Sequence, residues 1–375
     1  MDRAIAQWLA KQPGPPTSDD TALLKKLQRS YTVYGDLVIL SSNAFASDIG
    51  FPGAHSVQDD NLRDLYRLIC QHLKTTHVAT TRPIPLTSDR DGVVEQNILR
   101  APVHFAPLYG DFGPSTASSP PTLHDFDAAH WVTAKQNGIY QTWAPRWTMF
   151  SRGNVSEKAR LLTLTSVVTA VEEGKRQSMG CCAVDLYVGI GYFAFSYLKA
   201  GVDVVLGWEL NGWSVEGARR GSERNGWKVT PVGRDDEDPR INGSGVRLFV
   251  FNENNTRASQ RIDSMRQSLP PIRHVNCGLL PSSEGSWRTA MNVLDDRHDG
   301  WVHVHGNFAV AEIEAKAERV RSELQQLVDE STVRKGGPGH LRRRVTIDQV
   351  NRLKSYAPGV MHCVIDIHIS KSEPS

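Results

Sequence analysis

The sequence predicts an α/β protein in which a smaller N-terminal α+β module precedes a doubly wound parallel sheet. From Cys182 onward, short apolar runs alternate with segments of helical spacing, which is typical of repeated strand–helix units. A glycine-rich turn at Gly189 and Gly191 connects the first of these strands to the first of these helices. The length of 375 residues allows two domains, at roughly 150 residues per domain. We therefore predict an N-terminal module over 1–153 and a catalytic domain over 154–375.

The composition excludes several classes of protein. Apolar residues make up 39% and charged residues 22% of the chain, which is enough to build a core and excludes wholesale disorder. The net charge of +2 supplies no global positive field, so nucleic-acid binding would need a local basic patch. The five cysteines contain no C-x-x-C pair, which argues against a disulfide scaffold and against a metal site. We expect a reducing, cytoplasmic compartment.

Neither targeting nor membrane insertion is indicated. The first residues lack a charged segment followed by an apolar one, so no signal peptide is predicted. The most apolar stretch, Leu186–Leu198, is too short to cross a bilayer and contains two glycines.

In the N-terminal module we predict a helix over Asn61–Leu73, because its leucines recur at helical spacing. Tyr34–Leu40 is predicted to be a short strand. The segment from Trp131 to Met149 is predicted to be a hairpin that turns at Asn137-Gly138.

The second domain is predicted to open with one helix over Asn154–Glu173, with Asn154 as its cap and Glu157 close to a capping box. The predicted strands are Val184–Tyr187, Val202–Trp208, Val246–Phe251, His274–Leu279, Trp301–His305 and His362–Ile369. The predicted helices between them are Tyr192–Ala200, Ser214–Asn225, Thr256–Ser268, Ser286–Asp295 and Ala311–Val328. Residues 233–245 are predicted to form a mobile insertion, and 334–344 is the most basic stretch.

Polar side chains at successive strand ends predict a nucleoside site. Asp185 leads into the glycine turn, where the backbone can approach a ligand closely. Glu209 closes the next strand, where a carboxylate can accept hydrogen bonds from both ribose hydroxyls. The turn also fits the dinucleotide pattern, so a nicotinamide cofactor and S-adenosylmethionine both remain possible here. Glu253 and Asn254 end the third strand, where an acid or amide meets an adenine amino group, and this third contact favours S-adenosylmethionine.

Four ordered segments resemble the tRNA wybutosine-synthesizing protein 2 family, which is related to the tRNA guanine-N1 methyltransferases. The first is the glycine turn, Asp185-Leu186-Tyr187-x-Gly189-Ile190-Gly191-Tyr192-Phe193. The others are Met149–Lys158, Asn276–Ser283 and Gly300–Asn307, the last carrying the His-x-His-x-Asn pattern. The resemblance extends over about 109–367.

The resemblance implies a Rossmann-like class I S-adenosylmethionine-dependent transferase of wybutosine biosynthesis. Such an enzyme moves the 3-amino-3-carboxypropyl group to C7 of 4-demethylwyosine at position 37 of phenylalanine tRNA and releases methylthioadenosine. The family contacts carried over to this chain, together with the residues of the glycine turn, give the predicted cofactor-binding set: Ser151, Lys158, Asp185, Gly189, Gly191, Glu209, Glu253 and Asn254. Within this set, Lys158 and Ser151 are candidates to hold the cofactor's carboxylate.

Carbon attack leaves a proton to be removed, and the catalytic residue stays open, with Glu157, Asn276 and His305 as candidates. His303 and His305 share one strand face and are more typical of structural histidines. For tRNA we single out Lys135, which lies on the predicted hairpin that is expected to face the anticodon loop. Arg146 and Arg152 are added because they interleave with Trp147, a pattern that suits base stacking and phosphate contact.

Three other functions remain open from the sequence. The first is a tRNA guanine-N1 methyltransferase acting at position 37, although Asn276-Cys277-Gly278 matches neither Asn-Pro-Pro-Tyr nor Asn-Leu-Pro. The second is a nicotinamide-dependent dehydrogenase. The third is a non-catalytic RNA-binding scaffold that keeps a vestigial cofactor pocket.

Overall fold

The computed structural model describes residues 1–14, 18–41, 60–82, 87–90, 93–334 and 343–371. Most of the predicted basic stretch, 335–342, lies outside these residues. The chain divides into two compact units. The first contains Met1–Ala134 and Thr142–Phe150, and the second contains Lys135–Gln141 and Ser151–Ser375. The predicted assignment of tRNA binding to 1–153 and of catalysis to 154–375 stays a prediction.

The first unit contains a four-stranded sheet in the order β1-β2-β3-β6, packed with helices. The strands of this sheet are β1 (Tyr31–Tyr34), β2 (Leu37–Ser41), β3 (His77–Thr81) and β6 (Ala106–Tyr109), while β4 (Thr87–Arg90) and β5 (Val93–Gln96) form a separate two-stranded sheet. The helices of the first unit are Asp2–Leu9, Ser18–Arg29, Asp60–Leu73 and Leu123–Ala128. The predicted helix near 61–73 is confirmed, since its apolar face supplies the buried Leu65, Leu68 and Ile69.

The predicted single strand over 34–40 is wrong, because a turn divides that segment. β1 and β2 pair antiparallel, with Tyr34 opposite Leu37. Gly35 turns the chain at φ +52, and a Cβ there would lie 2.5 Å from the Thr133 carbonyl oxygen. Only glycine combines that backbone conformation with that close approach.

The predicted hairpin forms between β7 (Val132–Gln136) and β8 (Ile139–Trp143). Asn137 and Gly138 both have positive φ, +52 and +72, as the two central residues of a type I′ hairpin turn require. The asparagine–glycine pair therefore predicted this turn correctly.

The second unit contains an eight-stranded sheet in the order β11-β12-β10-β9-β13-β14-β16-β15. The six strands from β11 to β14 pair parallel, and β14, β16 and β15 pair antiparallel at one edge. The strands are β9 (Cys182–Asp185), β10 (Val204–Trp208), β11 (Val229–Gly233), β12 (Leu248–Asn252), β13 (Ile272–Cys277), β14 (Gly300–Ala309), β15 (Val345–Ala357) and β16 (Val360–Ile369). The helices are Val155–Leu161, Thr165–Arg176, Ala194–Ala200, Gly212–Arg224, Ala258–Met265, Trp287–Val293 and Ile313–Arg334.

Both faces of this sheet are covered, which confirms the predicted doubly wound α/β fold. Alternate residues of one strand enter different hydrophobic clusters: Leu206 of β10 packs on one side and Val205 on the other. Phe249 and Val250 of β12 divide in the same way. A sheet that is buried on both faces needs strands that are apolar throughout, and the central strands of this sheet are apolar in this way.

Two edge strands were not predicted. β11 contains Pro231, which lacks an N–H and reads as a breaker. β15 is largely polar and exposed, so it carries no apolar signal and is held by pairing with β16.

The predicted single helix over 154–173 is also wrong. It divides into Val155–Leu161 and Thr165–Arg176, with Leu164 in extended conformation between them. Asn154 makes no side-chain cap, and Glu157 binds Arg160 instead of closing a capping box.

The prediction of a mobile insertion over 233–245 is wrong as well. Ile241 is buried in the core, and the Arg261 guanidinium binds the Asp236 carbonyl at 2.7 Å and the Asp238 carboxylate at 2.9 Å. These contacts fasten the segment to the helix Ala258–Met265.

Among the described residues, no helix combines the length and apolar character that a membrane crossing requires. The cytoplasmic location stays a prediction.

Candidate active site

The turn after β9 admits only glycine at two positions. Gly189 has φ +54 and Gly191 has φ +89. A Cβ on Gly189 would lie 2.8 Å from the Tyr192 ring, and one on Gly191 would overlap the fully buried Phe195 ring. The turn is therefore tight, and it brings backbone N–H groups to the carboxyl end of the sheet.

Glu209, at the end of β10, is fixed beside this turn. Its Oε2 accepts a hydrogen bond from Gly189 N at 3.0 Å, and its Oε1 accepts one from Asn211 N at 2.8 Å. Burial raises the pKa of Glu209 to about 7, and these backbone hydrogen bonds oppose that rise. Each carboxylate oxygen can accept a further hydrogen bond. The residue can thus bind a pair of neighbouring hydroxyl groups, as its predicted role requires.

Asp185 and Asn276 meet below the turn. The fully buried Asp185 Oδ1 accepts hydrogen bonds from Asn276 Nδ2 at 3.1 Å and from Tyr187 N at 3.2 Å. Burial raises the pKa of Asp185 to about 6. Asp185 Oδ2 and Asn276 Oδ1 are buried without a partner among the described residues. The ends of β9 and β13 are joined through this pair.

The two predicted residues at the end of β12 have different surroundings. Glu253 is buried, and its carboxylate is engaged by Arg257 at 2.9 Å and Arg261 at 3.2 Å. Asn254 is exposed, and its side chain accepts a hydrogen bond from Thr256 N at 2.9 Å. The ion pairs leave Asn254 as the more accessible polar group at this strand end.

Sequence reasoning missed the two asparagines that join these strand ends. Asn252 Nδ2 donates to the carbonyl oxygens of Glu209 at 2.9 Å and Leu210 at 3.1 Å. Asn255 Nδ2 donates to the Leu186 carbonyl at 2.8 Å. The amide-rich run around Glu253 was the available signal, but their partners could not be read from it.

Ser151 and Lys158 lie beside the glycine turn through Tyr192. Ser151 N donates to the Tyr192 hydroxyl at 3.1 Å, and Lys158 Nζ lies 5.5 Å from the centre of the Tyr192 ring. Lys158 is buried and donates to Gln136 Oε1 at 2.6 Å and to Gln141 Oε1 at 2.9 Å. Burial lowers its pKa to about 8. Lys158 is therefore a buried cation in a polar cage and not a solvent-exposed helix lysine.

Glu157, one of the catalytic candidates, is committed to other groups. It is buried and pairs with Arg160 at 2.6 Å, while its Oε2 accepts a hydrogen bond from Asn351 Nδ2 at 2.6 Å. Arg160 also binds Asp366, which lies 2.7 Å from His303 Nδ1. These contacts give Glu157 and His303 positions in a buried charge network, as expected of structural residues.

His305 has one ring nitrogen that makes no hydrogen bond to the described residues. Its Nδ1 lies 3.2 Å from His362 Nε2, and its Nε2 is buried without a partner among the described residues. The ring centre lies 4.9 Å from that of Phe193, in the segment that follows the glycine turn. Burial lowers the pKa of His305 well below its usual value, so the imidazole is neutral at pH 7.

Asn307 ends the His-x-His-x-Asn pattern and is not among the predicted site residues. Both polar atoms of its side-chain amide are buried and have no partner among the described residues. Its backbone N donates to the Pro281 carbonyl at 2.9 Å, and Ser282 forms a bridge to Gly306. The loop after β13 thus lies against the end of β14. Unsatisfied buried polar groups on Asn276 of β13 and on Asn307 of β14 indicate a place for a polar ligand.

The three candidate RNA-binding residues belong to different units of the chain. Lys135 is exposed on the hairpin, with Nζ 4.8 Å from the centre of the Tyr140 ring. Arg146 belongs to the first unit, where burial lowers its pKa. The side chain of Arg152 lies outside the described residues. At the end of the basic stretch, Arg343 is buried and binds Asp296, which is a structural role.

Solved structures share this architecture. The P. horikoshii TYW2 in complex with MeSAdo matches with a TM-score of 0.59 and 16% identity, over 99% of this chain and 100% of that chain. Trm5b from Pyrococcus abyssi matches with a TM-score of 0.56 and 13% identity, over 96% of this chain and 80% of that chain. At these identities the likeness shows the fold. The fold is the Rossmann-like sheet of the class I S-adenosylmethionine-dependent transferases, and the strand-end site lies where such sheets bind nucleosides.

Curated relatives identify the family within that class. The tRNA wybutosine-synthesizing protein 2 of Schizosaccharomyces pombe is 37% identical over 338 residues, which are 90% of this chain and 72% of that protein. The Saccharomyces cerevisiae protein of the same name is 32% identical over 313 residues, 78% of this chain and 60% of that protein. The chain belongs to the tRNA wybutosine-synthesizing protein 2 family, as the four sequence blocks predicted. No family model matches the chain.

Proposed function

We propose that this chain transfers the 3-amino-3-carboxypropyl group of S-adenosylmethionine to C7 of 4-demethylwyosine at position 37 of phenylalanine tRNA, releasing methylthioadenosine. The observation that carries this proposal is the carboxylate of Glu209, fixed by Gly189 N beside the glycine turn in a member of this family. The P. horikoshii TYW2 structure with MeSAdo and the M. jannaschii TYW2 structure with AdoMet support it. No observation favours the methyltransferase, dehydrogenase or scaffold alternatives.

The donor would lie across the carboxyl ends of β9, β10 and β12. Glu209 has acceptor capacity for the two ribose hydroxyls, and Asn254 offers an accessible amide to the adenine. Asp185 and the glycine turn would shape the floor beneath the nucleoside. This arrangement fits a single nucleoside held at three successive strand ends.

Orientation of the donor decides which group moves. A sulfonium carries three carbon substituents, and the group transferred is the one presented to the nucleophile. Lys158 and Ser151 lie near Tyr192, at the edge of the glycine turn. Lys158 would bind the donor's carboxylate and turn the methionine arm so that its γ-carbon faces the base. A buried cation suits this role because its attraction for a carboxylate is less screened than at the surface.

The acceptor base would lie against β13 and β14, where Asn276, His305 and Asn307 carry unsatisfied polar atoms. C7 attacks the γ-carbon, the carbon–sulfur bond breaks with its electrons on sulfur, and the C7 proton leaves. With its Nδ1 proton donated to His362, His305 keeps a lone pair on Nε2 that can accept this proton. Glu157 is less suited because Arg160 and Asn351 occupy its oxygens.

The tRNA partner is proposed to meet basic side chains at the hairpin and beside it. Lys135 is exposed, with its ammonium over Tyr140, so it can contact a phosphate. Arg146 and Arg152 complete the proposed set. Contact with the anticodon loop of phenylalanine tRNA follows from the acceptor position.

The by-product of the reaction tests the proposal. The protein is incubated with S-adenosylmethionine and phenylalanine tRNA bearing 4-demethylwyosine, and the released nucleoside is separated by chromatography. Methylthioadenosine that appears only with this tRNA would support the proposal. S-adenosylhomocysteine would instead assign a methyltransferase. Tight tRNA binding without donor binding would assign the scaffold reading.

A further inference from the structure

Three potential metal ligands converge in the first unit from distant parts of the chain. Asp36 lies in the turn between β1 and β2, His77 begins β3, and His130 precedes β7. Their ligand atoms all lie within 4.8 Å of one another. His130 Nε2 is 3.6 Å from Asp36 Oδ1, and His77 Nδ1 is 3.9 Å from Asp36 Oδ2. The two imidazole rings stack with centres 3.5 Å apart, so both present a nitrogen to the same carboxylate.

The surroundings fix the proton of His77. Its Nε2 lies 2.8 Å from the Asp111 carbonyl oxygen, which can only accept, so Nε2 carries the proton. Nδ1 therefore has a lone pair on the side of Asp36. A backbone carbonyl that receives the second ring N–H is the usual partner of a metal-ligating histidine.

The cluster contains more acceptors than protons. Thr76 Oγ1 lies 2.7 Å from His77 Nδ1 and 3.1 Å from Asp36 Oδ2, but one hydroxyl proton can serve only one of them. His130 Nε2 is buried and has no hydrogen-bond partner among the described residues. A divalent cation would satisfy the acceptor of His77 or Asp36 that the hydroxyl leaves over, and it would bind His130 Nε2 in the Nδ1-protonated form of that ring.

We infer that Asp36, His77 and His130 bind one Zn²⁺ ion per chain, with water completing the coordination. Two imidazoles and one carboxylate are a normal zinc donor set. The ligand atoms of the His77–Asp36 and His130–Asp36 pairs need to close by only a few tenths of an ångström to reach tetrahedral spacing. The ion would fasten the β1–β2 turn, the start of β3 and the segment before β7 to one another. This inference is independent of the proposed transferase activity.

The test measures Zn²⁺ binding to the full chain, purified without a polyhistidine tag and stripped with a chelator. Isothermal titration with Zn²⁺ should give one site per chain, and saturating Zn²⁺ should raise the thermal unfolding midpoint by about 5 °C or more. Asp36→Asn and His130→Gln should each weaken binding by more than roughly 100-fold. Thr76→Val, which removes only the supporting hydroxyl, should weaken it by roughly 10–100-fold.

His124→Gln is the matched control, because His124 is an exposed histidine of the same unit. It should bind Zn²⁺ as the wild type does. Two outcomes overturn the inference. Either the stripped wild type fails to bind Zn²⁺ stoichiometrically, or Asp36→Asn and His130→Gln both bind Zn²⁺ as the wild type does. Circular dichroism of each apo variant separates loss of the ligand from loss of the fold, and Asp36→Asn, whose side chain is 44% exposed, is the substitution expected to fold normally.

Discussion

Replacing Gly191 by alanine perturbs the glycine turn in two ways that the structure separates. Its φ of +89 lies outside the region that L-residues adopt, which costs roughly 1–2 kcal/mol. A Cβ would also overlap the buried Phe195 ring, and overpacking a core costs roughly 1–3 kcal/mol more. The expected loss of unfolding free energy is therefore about 2–5 kcal/mol.

Gly359→Ala is the matched control for the backbone contribution alone. Gly359 has φ +74 in the turn between β15 and β16, and a Cβ there would have no described heavy atom within 4 Å. It should lose only roughly 1–2 kcal/mol and bind S-adenosylmethionine like the wild type. The turn holds Gly189 N in place to bind the Glu209 carboxylate. Distorting it in Gly191→Ala should therefore weaken donor binding by at least roughly tenfold.

Urea unfolding of both variants, with isothermal titration of S-adenosylmethionine, measures these quantities. Equal stability losses for Gly191→Ala and Gly359→Ala, with wild-type donor affinity in both, would refute the reasoning about the turn.

Three further predictions follow from buried groups of the second unit. Asp366→Asn should lower the unfolding free energy at pH 7 by about 1.5–3 kcal/mol, because it removes one of the two buried carboxylates that bind Arg160. His303 and Arg160 hold the pKa of Asp366 well below its usual value, so the wild type should lose this stabilisation as pH falls below about 4. Urea midpoints of the wild type and the variant from about pH 7 to about pH 3 test the stability loss and its pH dependence. Lys158→Met should weaken donor binding at pH 7. Because burial lowers the pKa of Lys158 to about 8, keeping the lysine charged below that pH lowers the unfolding free energy of the wild type. The wild type should therefore gain stability over the variant between about pH 8 and 10, which urea unfolding at each pH measures. Asn307→Ala should keep the donor affinity and the unfolding midpoint while lowering transfer to tRNA at least roughly tenfold, and a wild-type rate would refute its place on the acceptor side.

The sequence predicted the central sheet because its strands are buried on both faces and are apolar throughout. The glycine turn was equally accessible, since Gly189 and Gly191 have no substitute at their φ values. β15 could not be predicted from local pattern, because it is a polar edge strand that depends on its pairing with β16.

Contacts between distant residues were beyond the reach of sequence spacing. Arg160 and Asp366 are 206 positions apart and Glu157 and Asn351 are 194 apart, so the network that occupies Glu157 could not be foreseen. Lys158 has the appearance of an ordinary helix lysine until Gln136 and Gln141 surround it. The cluster of Asp36, His77 and His130 could not be predicted either, because its residues are far apart in the sequence. The argument against a metal site considered only the spacing of cysteines.

Transfer of an isotopic label most directly tests the central claim that this chain moves the aminocarboxypropyl group. S-adenosylmethionine labelled either at the carboxyl carbon or at the methyl carbon is incubated with the protein and phenylalanine tRNA bearing 4-demethylwyosine. The account predicts that carboxyl label enters the tRNA and that methyl label leaves as methylthioadenosine. Methyl label in the tRNA, with the carboxyl label released, would contradict it.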